Sequence, residues 1–422
     1  MTLPPDDVPD GRPRVVIVAN YSAGTIDSNN RFNDLARRLA ARGADVELVT
    51  SRFSHARKAM REDEHWDTAY RITRLHEPGY RRNVSVARLR SQAAFARAVR
   101  AHLASLDRPP HVVLASTPPP AAAFEAARYA ARVGAAFAID VQDLWPEAFS
   151  MVSRHPRLID LAFRGMRRAA GAAYRSADLV VGVSRTYTRS AEAHGADPRR
   201  TRVVFLGTEL AGFDDGARTG EPAVDLPTGE GALPAIGYAG GLSASYDIPL
   251  VIDALRILAD DPVAPLRPAF VVMGDGARRA ELEQLAAGSG LDIRFTGDLP
   301  YTRMVPTLCA CGIAVNPIVP GSAGSILNKA GDYAAAGIPV VSSQESPEYR
   351  ELLARYDAGL SCAPSDAAAM AAALRTLLED PARRRAMGAG SRRLAEELFD
   401  RAVTYERMVD ELLDLAAVPA SP

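Results

Sequence analysis

The sequence predicts an α/β chain built from two doubly wound parallel sheets, and three observations predict it. Its 422 residues exceed what one hydrophobic core usually serves, so two domains are expected. Short apolar runs alternate with longer segments of helical period in both halves. Between the halves, the stretch 212–232, GFDDGARTGEPAVDLPTGEGA, breaks the alternation with Gly, Pro and acid, and reads as a linker.

In the first half, RVVIVAN (14–20) reads as a buried strand. The helix NNRFNDLARRLAARG (29–43) follows, with Phe32, Leu35 and Leu39 on one face. DVELVTS (45–51), YRITRLH (70–76), HVVLAS (111–116), AFAIDVQ (136–142), DLVVGVS (178–184) and RVVFLG (202–207) continue the strand series. These are near-continuous runs of Val, Ile and Leu, which suits parallel strands covered on both faces. Beyond the linker the pattern restarts with AIGYAG (235–240), FVVMG (270–274), IRFTG (293–297), IAVNP (313–317), PVVSS (339–343) and AGLSC (358–362). Helical stretches at 367–380, 381–398 and 401–417 close the chain. The expected domains are 1–211 and 233–398, with a C-terminal helix in 399–422 returning to the first. Open sheets of this class bind ligands beyond the carboxyl ends of their strands, and two Rossmann-like sheets facing each other define a cleft.

Composition narrows the function classes. Hydrophobic content of 47%, charge of 24% and a net charge of -1 fit a soluble globular protein and give no basic excess for nucleic acid. No apolar run reaches the ~18 residues of a membrane helix. The acidic, Pro-rich start MTLPPDDVPD predicts no secretion signal, so a cytoplasmic location is expected. Three cysteines, Cys309, Cys311 and Cys362, suit small buried residues in a reducing compartment better than a disulfide scaffold or a zinc pair. The heavy use of Ala and Arg suggests a bacterial source. Of 50 basic residues only Lys58 and Lys329 are lysine.

The segment 321–332, GSAGSILNKAGD, can supply what a nucleotide diphosphate needs. Glycines and serines let backbone amides approach phosphate, and the following helix points its N-terminus at it. Lys329 and Asp332 are three apart on one helical face. A lysine in a first turn opposes the helix dipole unless an anion is near; the alternative is an exposed Lys–Asp pair of little consequence. Signatures of P-loop, nucleophile-elbow and zinc-protease chemistry are absent, as is a D-x-D pair for a metal-bound sugar nucleotide.

DYAAAGIPVVSS (332–343) resembles the C-terminal signature of family-4-type glycosyltransferases of the GT-B fold. GYAGGL (237–242), VVMGDGARRAELEQLA (271–286), FTGDLP (295–300), GLSCAPSDAAAMAAAL (359–374), VVFLGTELAGF (203–213) and DVQDLWPE (140–147) resemble further family segments in the family's order. The chain departs from the family at the paired glutamates, where Gly324 and Asp332 stand. It also departs at the two usual diphosphate cations, where Gly241 and the Tyr246-Asp247 pair stand. A subgroup with an N-K-x-x-(D/E)-Y segment carries its phosphate cation at the position of Lys329. The resemblance implies a metal-independent enzyme without cofactor, transferring a sugar from a nucleotide-diphosphate sugar with retention. Asp332 would hold the ribose. Lys329, Asn328 and the amides around Ser322, Ala323, Gly324 and Ser325 would hold the diphosphate beside the turn Gly240-Gly241. Gly297, Leu299 and Pro300 would hold the base.

The first half is expected to hold the acceptor, a lipid-linked glycan or a small natural product. Candidate groups are the loop 21–32 with Gly24, His55 after the second strand, and Asp143 or Glu147 as acceptor base. Asp143 equally suits a turn cap, and Trp145 suits packing between layers. Arginine-rich helices at 81–100 and 157–175 suit solvated faces, or contact with the inner face of a membrane. Two other readings use the same architecture. A sugar-nucleotide epimerase needs a carboxylate–histidine cluster, yet no histidine follows His194; a catalytically idle nucleotide-sugar-binding paralogue fits the lost glutamate and arginine.

Overall fold

The computed structural model describes residues 11–22, 30–55, 57–61, 67–82, 85–145, 163–227, 229, 231–322 and 325–417. By internal contacts the chain forms two compact units, 1–205 with 403–422, and 206–402.

Among the described residues the first unit carries strands β1 (Arg14–Val18), β2 (Asp45–Ser51), β3 (Arg71–Leu75), β4 (Val112–Thr117), β5 (Ala136–Val141), β6 (Leu179–Gly182) and β7 (Thr201–Val203). They form one parallel sheet in the order β3-β2-β1-β4-β5-β6-β7. β1 and β4 are wholly buried, which explains why their sequences are apolar without alternation. Phe32, Leu35 and Leu39 of the helix Arg31–Ala41 pack on β1 and β2, and Asn30 caps that helix through Oδ1. Tyr405, Met408, Val409 and Leu412 of the terminal helix Arg401–Ala417 lie in the same core.

The second unit carries β8 (Ile236–Ala239), β9 (Phe270–Met273), β10 (Ile293–Gly297), β11 (Ile313–Asn316), β12 (Val340–Ser342) and β13 (Gly359–Ser361). Their order is β10-β9-β8-β11-β12-β13, all parallel, so the direction of winding reverses between β8 and β11. That reversal leaves a crevice at the carboxyl ends of the strands.

Two expectations change. The run 202–207 pairs only as far as Val203, with the Val204 amide still donating to Gly182 O at 3.0 Å. The carbonyls of Val204 and Phe205 then turn to the Arg31 guanidinium, at 3.1 Å each, and leave the ladder. The expected linker from 212 opens as a helix, Leu210–Thr219. Glu209 caps it by accepting the Gly212 amide at 2.6 Å, and Leu210 and Phe213 are buried beneath it. These contacts outweigh two glycines and two acids that blur its periodicity.

Cys311 and Cys362 are buried and all three cysteines are free. Burial pushes the Cys311 thiol up to about 12, so it is an inert packing group. Among the described residues no helix is long and apolar enough to cross a membrane.

Candidate functional site

In the second unit, β8 and β9 end in interlocked glycine turns. The Gly240 amide donates to Met273 O at 2.9 Å, and a Cβ on Gly274, at φ +151°, would stand 1.9 Å from Gly240 O. Only glycine fits that approach. The crevice above these turns is a cavity of about 370 Å³, within the range of small-molecule sites. Six of the residues expected at a nucleotide line it: Gly240, Gly241, Leu299, Asn328, Lys329 and Asp332.

The helix Asn328–Ala335 brings the last three to the crevice. It begins at Leu327, and among the described residues no side chain caps its positive end. Tyr333 anchors it: the ring is fully buried, and its hydroxyl accepts the Ala239 amide at 2.9 Å and donates to Val315 O at 3.2 Å. One turn earlier Lys329 is 7% exposed, and among the described residues its Nζ has no hydrogen-bond partner. Burial pushes that amine well below its ordinary range. Oδ1 of Asp332 accepts from Thr208 Oγ1 and Tyr301 OH, both at 2.9 Å. Burial raises the Asp332 carboxyl, while these two donors and Arg401 oppose the shift.

The other expected donor-site residues stand apart from the cavity lining. Gly297 ends β10 with φ +75°, and Pro300 precedes the helix Tyr301–Cys309. Ser322 is half-buried, and Ser325 is 2% exposed with its Oγ donating to Glu348 Oε2 at 3.3 Å. Ala323 and Gly324 lie outside the described residues.

A Cβ on Gly240, at φ +143°, would stand 3.2 Å from Lys329 Nζ. Gly240→Ala is therefore expected to strain the turn and crowd the amine, lowering stability by about 1–3 kcal/mol in thermal or urea melts.

In the first unit His55 meets a cationic, aromatic cluster. Its Nδ1 lies 2.5 Å from Tyr80 OH and 3.1 Å from Lys58 Nζ, and its ring centroid is 5.0 Å from that of Tyr21. Burial, then Lys58 and Arg88, push the imidazole down to about 4, which makes it neutral and a weak base near pH 7. Arg88 stacks on Trp145 at 4.4 Å and on Tyr80 at 5.6 Å, so it joins the His55 region to the corner after β5. There Asp143 accepts the Leu144 amide at 2.8 Å and the Trp145 Nε1 proton at 3.1 Å. Its carboxylate thus shapes its own loop and orients Trp145, which is 4% exposed. Burial raises the Asp143 carboxyl against these donors. Gly24 and Glu147 lie outside the described residues, as do 157–162 of the second arginine-rich segment.

Two family models match the chain in tandem, one described as Glycosyl transferase 4-like domain over residues 28–207, the other as Glycosyl transferases group 1 over residues 233–380. The chain belongs to the GT4-like group 1 glycosyltransferases. A curated relative in this family, D-inositol 3-phosphate glycosyltransferase of Geodermatophilus obscurus, is 33% identical over 228 residues. The match covers 52% of this chain and 48% of that relative, so the chain spans about half the length of the curated relatives it matches. Two solved structures share the GT-B fold. Anabaena HepE in complex with UDP has a TM-score of 0.66 at 15% identity, covering 95% of this chain and 100% of its own. Sucrose-phosphate synthase from Thermosynechococcus elongatus has a TM-score of 0.68 at 20% identity, covering 96% and 100%.

Asp275 and Asp298 also line the cavity of the second unit; Asp298 lies within the 297–300 stretch expected at the base, and Asp275 was passed over. A signal was present: each follows a strand-end glycine, in the Gly-Asp steps at 274–275 and 297–298. Asp275 is partly spent on its own turn, accepting the Gly276 amide at 2.6 Å and Arg279 at 3.2 Å. Arg88 was passed over too, because a helix with arginines throughout does not show which one meets Trp145 and Tyr80.

Proposed function

We propose that this chain is a glycosyltransferase that takes its sugar from a nucleotide-diphosphate sugar held in the cavity of the second unit. The observation that carries the reading is Lys329: a buried amine that among the described residues has no hydrogen-bond partner, at a helix N-terminus without a side-chain cap among them, lining a glycine-floored crevice. An anion is the one ligand that helix end, amine and backbone turns all favour. HepE, a neighbour in fold, is solved with UDP, which supports a nucleoside diphosphate there.

In this reading Lys329 and the first-turn amides stabilise charge on the departing diphosphate, where preorganised donors act most strongly. Asp332, fixed by Thr208 and Tyr301, presents its remaining oxygen to a ribose hydroxyl. Leu299 borders the base, and no metal is required. The first unit receives the acceptor near His55, Arg88 and Trp145. Asp143 acts there by holding Trp145, and neutral His55 is available as a hydrogen-bond partner for an acceptor hydroxyl.

The test is a panel of UDP, GDP and dTDP sugars in the presence of EDTA. One family of nucleotides is expected to raise the melting temperature and to show slow hydrolysis without acceptor. A panel with no stabilisation would overturn the reading, and binding without hydrolysis or transfer to any acceptor would favour the idle paralogue.

A further inference from the structure

The amine of Lys329 is enclosed by aromatic faces instead of carboxylates. Nζ lies 4.2 Å from the Tyr238 ring centroid and 3.8 Å from that of Tyr246, and the two rings meet edge to face at 65° with centroids 6.0 Å apart. Tyr238 belongs to β8, is fully buried, and donates its hydroxyl to Gly241 O at 2.8 Å, so the cavity turn fixes the ring. Tyr246 is held by a backbone bridge to Ile318, just before the helix Ile248–Ala259. Gly240 supplies the remaining wall.

Among the described residues, the ionisable groups on the amine's own helix are engaged elsewhere and two carboxylates stand across the cavity. On its own helix, Asp332 is bonded through Oδ1 to Thr208 and Tyr301, and Tyr333 is bonded to Ala239 and Val315. Asp275 and Asp298 line the cavity from the loops after β9 and β10, and among the described residues neither forms an ion pair with Lys329. Tyr238 and Tyr246 are themselves pushed up by burial and stay neutral.

We propose that Tyr238 and Tyr246 are positioning residues whose faces hold the Lys329 amine at the cavity in place of a carboxylate, so that nucleotide diphosphate is the first anion it meets. The inference rests on the cavity being the nucleotide site. A carboxylate partner would fix the amine but compete with phosphate for it; an aromatic face attracts the cation without accepting its protons in hydrogen bonds. In the free site burial favours the neutral amine, and no counter-charge restores the proton. A bound diphosphate supplies that counter-charge and favours the ammonium form. The sign follows: diphosphate affinity falls as pH rises, and nucleoside affinity does not.

Calorimetry on the full chain tests this, with UDP, GDP and dTDP and the matching nucleosides, in two buffers of different ionisation enthalpy, at neutral and alkaline pH. Diphosphate binding is expected to take up a proton fraction that nucleoside binding lacks. Tyr246→Leu is expected to weaken diphosphate binding roughly 30-fold. Nucleoside binding should persist in that variant, which reports an intact fold, and Tyr246→Phe should restore the diphosphate. Wild-type diphosphate affinity in Tyr246→Leu, or diphosphate binding without proton exchange, would overturn the proposal while leaving the nucleotide site standing. Failure of all three diphosphates to bind the wild type would bring down the site assignment and this proposal together.

Discussion

Lys329→Met is expected to yield a protein that melts higher than the wild type and transfers no sugar at a useful rate. In the free protein the amine is buried and has no acceptor among the described residues. Burying an unsatisfied donor costs about 1–3 kcal/mol, and methionine fills similar volume without that cost. The gain depends on pH in a defined direction. The unfolded chain holds the lysine proton up to about 10.5, whereas the folded chain releases it at lower pH. Between those two pKa values the unfolded state binds more protons, so wild-type stability climbs with pH toward the upper value. The variant lacks that slope, and its advantage is greatest on the acid side. Melting curves at several pH values read this directly. Turnover should drop by about 10²–10³-fold if the amine stabilises the leaving diphosphate. Near-normal turnover in Lys329→Met would remove this residue from the chemistry, whatever the melting curves show.

Asp140→Ala is expected to be the most damaging single change in the first unit. Asp140 is fully buried and receives Arg31 through Nε at 2.6 Å and Nη2 at 3.3 Å. Arg31 also donates to Val204 O and Phe205 O and lies 4.8 Å from the centre of the Tyr405 ring. Burial works against the Arg31 charge, and Asp140 with Tyr405 more than offsets it, so the guanidinium stays charged. Removing the carboxylate strands that charge, at about 3–5 kcal/mol. Urea unfolding followed by a first-unit probe such as Trp145 should shift accordingly. The paired change Arg31→Met with Asp140→Leu should recover much of the loss, because well-packed apolar groups often replace a buried ion pair at little cost. A single variant within about 1 kcal/mol of the wild type would mean that the carbonyls alone satisfy Arg31.

Both sheets were legible because strands buried on two faces must be spelled in Val, Ile and Leu, as in RVVIV and FVVM. Places where the reading slipped depend on distant partners. The end of β7 is set by Arg31, more than 170 positions earlier, which draws the next two carbonyls out of the ladder. The helix Leu210–Thr219 owes its existence to a cap and two buried side chains that its composition does not advertise. In the second unit Lys329 stood out because lysine is rare in this chain. Its surroundings were hidden, since Tyr238 looks like a core strand residue and Tyr246 like a missing cation. Only their meeting in space shows that rings stand where charges were sought.

The terminal helix has a consequence for how the chain is made. Tyr405, Met408, Val409 and Leu412 belong to the core that β1 and β2 begin. At ordinary translation speed the roughly 200 residues after Phe205 take about 10–40 s to emerge. During that interval the first sheet lacks the helix that covers part of its apolar face. The core begun by β1 and β2 cannot be completed until the helix Arg401–Ala417 has been made.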